Sequence, residues 1–189
     1  TIVAGEFGLT TRCVFSDALQ PVGRGIGPAL EARDVLHVLQ RSQNAPPDLR
    51  ERAISLAGTA LELAGAAVPG TGVALAREAL DSGSAWTKFQ AICAAQGGMR
   101  EPPRAQQTVP VTAIRAGRLS AIDNRKLSRL AKLAGAPARP AAGLILHKRL
   151  GDEVAFGEPV VTIHAEAPGE IAYAMAYAIS NADMFTIED

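Results

Sequence analysis

The chain has 189 residues, 48% hydrophobic and 20% charged, and its 19 basic and 19 acidic side chains give a formal net charge of zero. That balance excludes the cationic surplus on which general nucleic-acid binding rests, and no apolar run approaches the roughly 20 residues that a bilayer span needs. The length suits one large domain or two small ones, and with 4% aromatic residues the core has to be built from Ala, Leu, Val and Ile.

The opening Thr1-Ile2-Val3 reads as an engineered or proteolytic boundary. With no signal peptide, a cytoplasmic location is expected. Thr10–Ser16 is predicted as a strand ending at Ser16-Asp17, and Gln20-Pro21 as a turn. Val22–Pro28 (V-G-R-G-I-G-P) then leads into a helix carrying Leu30, Val35, Leu36 and Leu39 at helical spacing, with Pro28 in its first turn. After Ser42–Pro47, Asp48 is predicted to cap a second, Ala-rich helix that Gly65 closes. Its apolar residues occupy much of its circumference, so deep burial is expected. A third helix is predicted from about Thr71 to Leu80, and a fourth, capped by Ser84 and carrying Trp86, Phe89, Ile92 and Cys93, ends at Gly97-Gly98. Cys13 and Cys93 both lie in apolar stretches and are expected to be buried free thiols.

Met99–Gln107 has no periodicity and two prolines, which marks it as the domain boundary. Short strands follow at Thr108–Ile114 and at Gly117-Arg118-Leu119. Asp123 or Asn124 caps a helix with Leu127, Leu130, Leu133 and Ala134, stopped by Gly135. Ala142–Ala165 then reads as strand, tight turn at Gly151-Asp152, short bridge at Val154, second turn at Gly157 and strand. Its punctuation, G-D-x-V-x-x-G-x-P, resembles that of biotinyl- and lipoyl-type carriers, but the modified lysine at a hairpin tip is missing: Lys148 lies before the turn. Pro168 starts a last helix (Gly169–Ile179), and Met184–Ile187 is a closing strand.

The residues alone offer few chemical candidates. The glycines of Val22–Pro28 suggest an anion-cradling loop at a helix N-terminus. Their G-x-G-x-G spacing matches neither the dinucleotide fingerprint nor the P-loop, and the simpler reading is a close turn into the helix. His37, His147 and His164 are the only histidines, no two at metal-ligand spacing on one element. Asp17, at the end of a predicted strand, is either a functional carboxylate or a turn-stabilising one. Arg125, Lys126 and Arg129 form a small basic helix face, most simply a solvated one.

The ordered series of segments resembles the C-terminal portion of the thymidine and pyrimidine-nucleoside phosphorylase family. F-S-D-A-L-Q-P-V-G-R-G-I-G-P-A-L-E-A-R-D (Phe15–Asp34) is similar to the family's D-M-x-Q-P-L-G-x-x-x-G-N-A-L-E-V-x-E, with Pro28 in place of its asparagine. P-P-D-L-R, D-S-G-S-A-W-x-K-F, A-A-Q-G-G, G-R-L-S-A-I-D-N-R, A-G-L-I-L-H-K-R-L-G-D-E-V and G-E-P-V-V-T-I-H-A follow in order. The I-D-N-R and A-G-A-P segments look closer to AMP phosphorylases and their bacterial thymidine-phosphorylase-like relatives.

The resemblance implies an α/β (α+β) fold: 1–100 as the C-terminal part of a central α/β phosphorylase domain, then 108–189 as a small, hammerhead-like mixed α/β C-terminal domain. It implies a pentosyltransferase that cleaves a pyrimidine nucleoside with phosphate to free base and sugar 1-phosphate. The alternatives are an AMP phosphorylase releasing adenine and ribose 1,5-bisphosphate, or a non-enzymatic binding or assembly module. The family's phosphate- and base-binding residues lie upstream of the matched segments, so this chain would be the non-catalytic half, with no catalytic or substrate-binding residue of its own. Inorganic phosphate would be the co-substrate, with no required cofactor. Some members bind a monovalent cation, and the matching positions for potassium are Val22, Gly25 and Asp34. A nucleoside or nucleotide plus phosphate would be the partners of the full enzyme, a homo-oligomer without nucleic acid or membrane.

Overall fold

The structure, a computed structural model, describes residues 2–189. They fall into two units, one formed by Val35–Arg100 with the residues up to Asp17, the other by Ala18–Asp34 with Glu101–Asp189. Residues 18–34, grouped with the first part by their sequence, thus fold with the second unit.

The first unit is helical. It holds α1 (Ile2–Glu6), the C-terminal part of α2 (Pro28–Leu39), α3 (Pro47–Leu63), α4 (Gly72–Asp81) and α5 (Ser84–Ala95). Its core is small: Val38, Ile54, Ala76 and Leu80, with Leu49 and Leu61 packed around them. Two glycines let α3 and α4 meet at backbone distance, since a Cβ on Gly58 would fall 2.5 Å from the Val73 nitrogen. Thr71 makes no side-chain cap, and Glu62 takes over the role: its Oε1 accepts from Gly70 N at 2.9 Å and Gly72 N at 3.1 Å. A carboxylate there also complements the positive end of the α4 dipole.

Several expectations need correction in this unit. Thr10–Ser16 is not a strand. Its β-branched residues have no neighbouring strand to pair with among the described residues, and Phe15 is 95% exposed. The N-cap of α3 is Pro46, with Pro47 at the first helical position and Asp48 inside the first turn. Gly83, in the left-handed conformation, precedes α5, and Ser84 is its first residue. The α3 helix buries only Ile54 and Gly58, because alanines on its other faces meet no facing element and Leu56 is left exposed. Cys13 is exposed and Cys93 half-buried, both as free thiols.

The second unit is mixed α/β with two antiparallel sheets. The first orders its strands β1-β4-β6-β2, from Gly25–Ile26, Gly143–Leu146, Pro159–Ala165 and Gln107–Thr112. The second orders β5-β3-β7, from Glu153–Val154, Gly117–Ile122 and Phe185–Glu188. Strand alternation sends Leu144, Leu146, Val161 and Ile163 to one face, where they pair across β4 and β6 and are at most 1% exposed. Against them pack α6 (Asn124–Leu133), through Leu127, Leu130 and Ala131, and α7 (Pro168–Ser180), through Ala174 and Ala178. Asp123 caps α6 by accepting from Arg125 N at 2.9 Å and Lys126 N at 3.0 Å. The two-residue β1 has no counterpart in the sequence reading. Gly143, at φ +147°, makes its pairing possible: a Cβ there would collide with the Ile26 carbonyl.

Candidate functional site

The glycine-rich loop before α2 was the clearest candidate in the sequence, and the structure shows what its amides do. Asp34 Oδ2 accepts from Arg24 N and Gly25 N, both at 2.7 Å, and Glu31 Oε1 accepts from Gly27 N at 2.9 Å. The N–H groups that would cradle an anion are satisfied by two carboxylates one and two turns into the helix that follows. The loop is a self-capped turn into α2 rather than a phosphate cradle.

The same bonds bear on the cation position. Gly25 and Asp34 are brought together at this turn, with Val22 two residues before Arg24, but Asp34 Oδ2 already serves two backbone donors. A hard cation gathers several oxygens at once. Among the described residues no group of three His, Cys, Asp or Glu could hold a metal ion. One carboxylate and two carbonyls do not fit such an ion without further ligands.

The remaining candidates lie apart. Asp17 follows the exposed extended segment, where its carbonyl accepts from Arg52 at 3.4 Å. His37 is half-buried on α2. On α6, Lys126 pairs with Asp183 at 2.5 Å and Arg129 lies over the Tyr177 ring at 5.8 Å, with Arg125 and Lys132 lining the same shallow basic groove. An apolar cavity of about 240 Å³ opens between β2, β6 and α7, lined by Val160, Met175, Ile179 and Phe185 among others. It presents hydrocarbon and no convergent polar handle.

His147 and His164, unremarkable in the sequence, come together. His147 Nε2 lies 2.7 Å from Thr162 Oγ1, and His164 is two residues further along the same strand face. Burial, and then the Arg24 charge, lower the His147 pKa; burial, then Arg33 and His147, lower that of His164. Their 17-residue separation hides this meeting from any local spacing rule; only the β4–β6 register reveals it.

None of these groups forms a nucleophile–base pair or paired carboxylates, and the chain's relationships supply what the geometry does not. Residues 118–183 match the family described as the pyrimidine nucleoside phosphorylase C-terminal domain, which takes in β3 through α7. The chain is also 58% identical over 186 residues to a protein of Tolumonas auensis named "Putative thymidine phosphorylase", covering 98% of this chain and 37% of that protein. Proteins with the same name in Sphingopyxis alaskensis (57% over 187 residues, 99% of this chain and 36% of the relative) and Legionella pneumophila (56% over 172 residues, 91% and 33%) are similar to it. The second unit thus contains a C-terminal domain of the pyrimidine nucleoside phosphorylase type. Along nearly its whole length the chain is similar to these thymidine-phosphorylase-type proteins, and its domain match is to the C-terminal portion of the pyrimidine-nucleoside phosphorylase family. The chain spans about a third of the length of these relatives. Among the described residues no helix is long and apolar enough to cross a membrane.

Proposed function

We propose that this chain is the non-catalytic C-terminal half of a thymidine-type phosphorylase, an enzyme that cleaves a pyrimidine nucleoside with inorganic phosphate. One observation carries the reading: the match to the relatives runs through both units without interruption, at 58% identity over 98% of the chain. A borrowed domain would match in one unit only. Phosphorolysis needs one site that both holds phosphate and stabilises an oxocarbenium-like transition state, and no site combining the two stands among the described residues. That site would come from the upstream portion, with this chain supporting the cleft. Potassium at Val22, Gly25 and Asp34 would likewise need oxygens from outside the chain. The same family reading extends to a cytoplasmic homo-oligomer acting without membrane or nucleic acid.

An AMP phosphorylase is the second reading, favoured by the I-D-N-R and A-G-A-P segments at Ile122–Arg125 and Ala134–Pro137. A chimera tests the first. The matching third of the Tolumonas auensis protein is replaced by this chain and assayed for phosphate-dependent release of thymine from thymidine and of adenine from AMP. Thymine release supports the thymidine-type reading, and adenine release moves the assignment to AMP. Release of neither by a folded chimera, when the unaltered relative is active, overturns the supporting role. Thymine release by the 189-residue chain alone overturns the non-catalytic assignment.

A further inference from the structure

The face of the four-stranded sheet opposite the core carries a group of side chains with no part in the reading above. Thr162 and His164 project there from β6, the first paired with Ile145 and the second flanked by Gly143 and Thr108. His147, just past β4, closes on Thr162 through the 2.7 Å contact of its Nε2. Arg33 acts on this group from α2. Its Nη2 donates to the Pro103 carbonyl at 2.5 Å and the Pro102 carbonyl at 3.2 Å, which fixes the guanidinium and leaves Nε and Nη1 with no acceptor among the described residues. Arg24 acts from the β1 side, its backbone pinned by Asp34.

The charges that act on the two imidazoles are positive. His147 feels Arg24, and His164 feels Arg33 and His147. Arg104 adds a further positive charge beside Arg33. Of the nearby carboxylates, Asp34 spends Oδ2 on two amides and Glu101 acts on Arg33, while none acts on either imidazole. Donors of like charge, with His164 and Arg33 half-buried among them, are costly to gather unless an anion completes them. A carboxylate would bring one negative charge in a plane. A tetrahedral dianion brings two, with oxygens directed at donors on several elements.

We propose that the outer sheet face at His147, Thr162 and His164, with Arg24 and Arg33, binds an oxyanion of the phosphate class, either free phosphate or the phosphate group of a sugar phosphate. The anion neutralises the cluster and favours the imidazolium forms, so binding raises the pKa values of the two imidazoles. The proposal does not depend on phosphorolysis by the parent enzyme.

The test is an NMR titration of the histidine side chains of the 189-residue chain with inorganic phosphate, at ionic strength held constant with chloride. His147 and His164 are expected to move saturably with raised pKa values, and His37, on α2, to stay put. Arg33→Gln is expected to weaken binding about tenfold, the scale of one lost charge-assisted hydrogen bond. If that variant loses its fold by circular dichroism, Arg24→Gln carries the same expectation from an exposed position. No movement beyond the chloride control, an equal movement of His37, or unchanged affinity in a folded arginine variant overturns the proposal. A parallel titration with ribose 5-phosphate separates the two sources: tighter binding than phosphate identifies a sugar phosphate, and equal or weaker binding the free ion.

Discussion

Gly58→Ala sets two physical effects against each other, and the structure says which wins. In an exposed helix interior alanine is favoured over glycine by about 1 kcal/mol. At Gly58 the added Cβ would lie 2.5 Å from Val73 N, 2.7 Å from Val73 Cα and 2.8 Å from the Gly72 carbonyl carbon. All three are backbone atoms, so no side chain can rotate aside and α4 itself has to move. Overpacking costs about 1–3 kcal/mol, and three close backbone contacts place this case at the upper end. The net expectation is a loss of about 1–2 kcal/mol. With a urea slope of about 2 kcal/mol per molar, the midpoint should fall by roughly 0.5–1 M. Trp86, the single tryptophan, sits on α5 in the same unit and reports the transition by fluorescence. Gly169→Ala is the control: it lies on α7 with nothing within 4 Å of its would-be Cβ, and should be neutral or slightly stabilising. A raised midpoint for Gly58→Ala would mean that α3 and α4 do not meet at backbone distance.

Two further outcomes follow from the second unit. Leu130→Ala removes a fully buried side chain between α6 and the first sheet, and should cost about 2–5 kcal/mol in denaturant unfolding; a loss under 1 kcal/mol would refute the packing. Stability should also fall with mild acid. His147 and His164 have folded pKa values below the ordinary 6.5, so the unfolded chain takes up protons first. Their contribution is intact above that value and declines as pH drops below it, until the folded imidazoles protonate as well. Urea midpoints measured across this range should slope downward toward acid, and the His147→Gln/His164→Gln variant should flatten the slope.

What the sequence made legible was local. The β4–β6 hairpin could be read because apolar runs are separated by Gly151 and Gly157, both at positive φ in the structure. The α6 helix declared itself through the Asp123 cap and leucines at helical spacing. What depended on distant partners was misread or missed. Thr10–Ser16 has strand composition but no ladder to join, and β1 exists only because Gly143 admits the Ile26 carbonyl. The candidate site divided along the same line. The family resemblance singled out Val22, Gly25 and Asp34, yet no spacing rule says that Asp34 will turn onto the amides of Arg24 and Gly25. Sheet register, also invisible locally, is what joins His147 to the face of His164.

The second unit is assembled from two stretches of chain, with 35–100 spliced between them. Its β4 edge is covered by Gly25 and Ile26, the Leu150 amide donates to Gln20 Oε1 at 3.0 Å, and Arg149 donates to the Gly23 carbonyl at 2.6 Å. A gene trimmed at Glu101, where the sequence invites the cut, would therefore yield a polypeptide with one bare, adhesive sheet edge. To make the module portable, the genetic order would have to be rewritten so that 18–34 and 101–189 share one continuous backbone. Its true border is drawn in space and crosses the reading frame more than once.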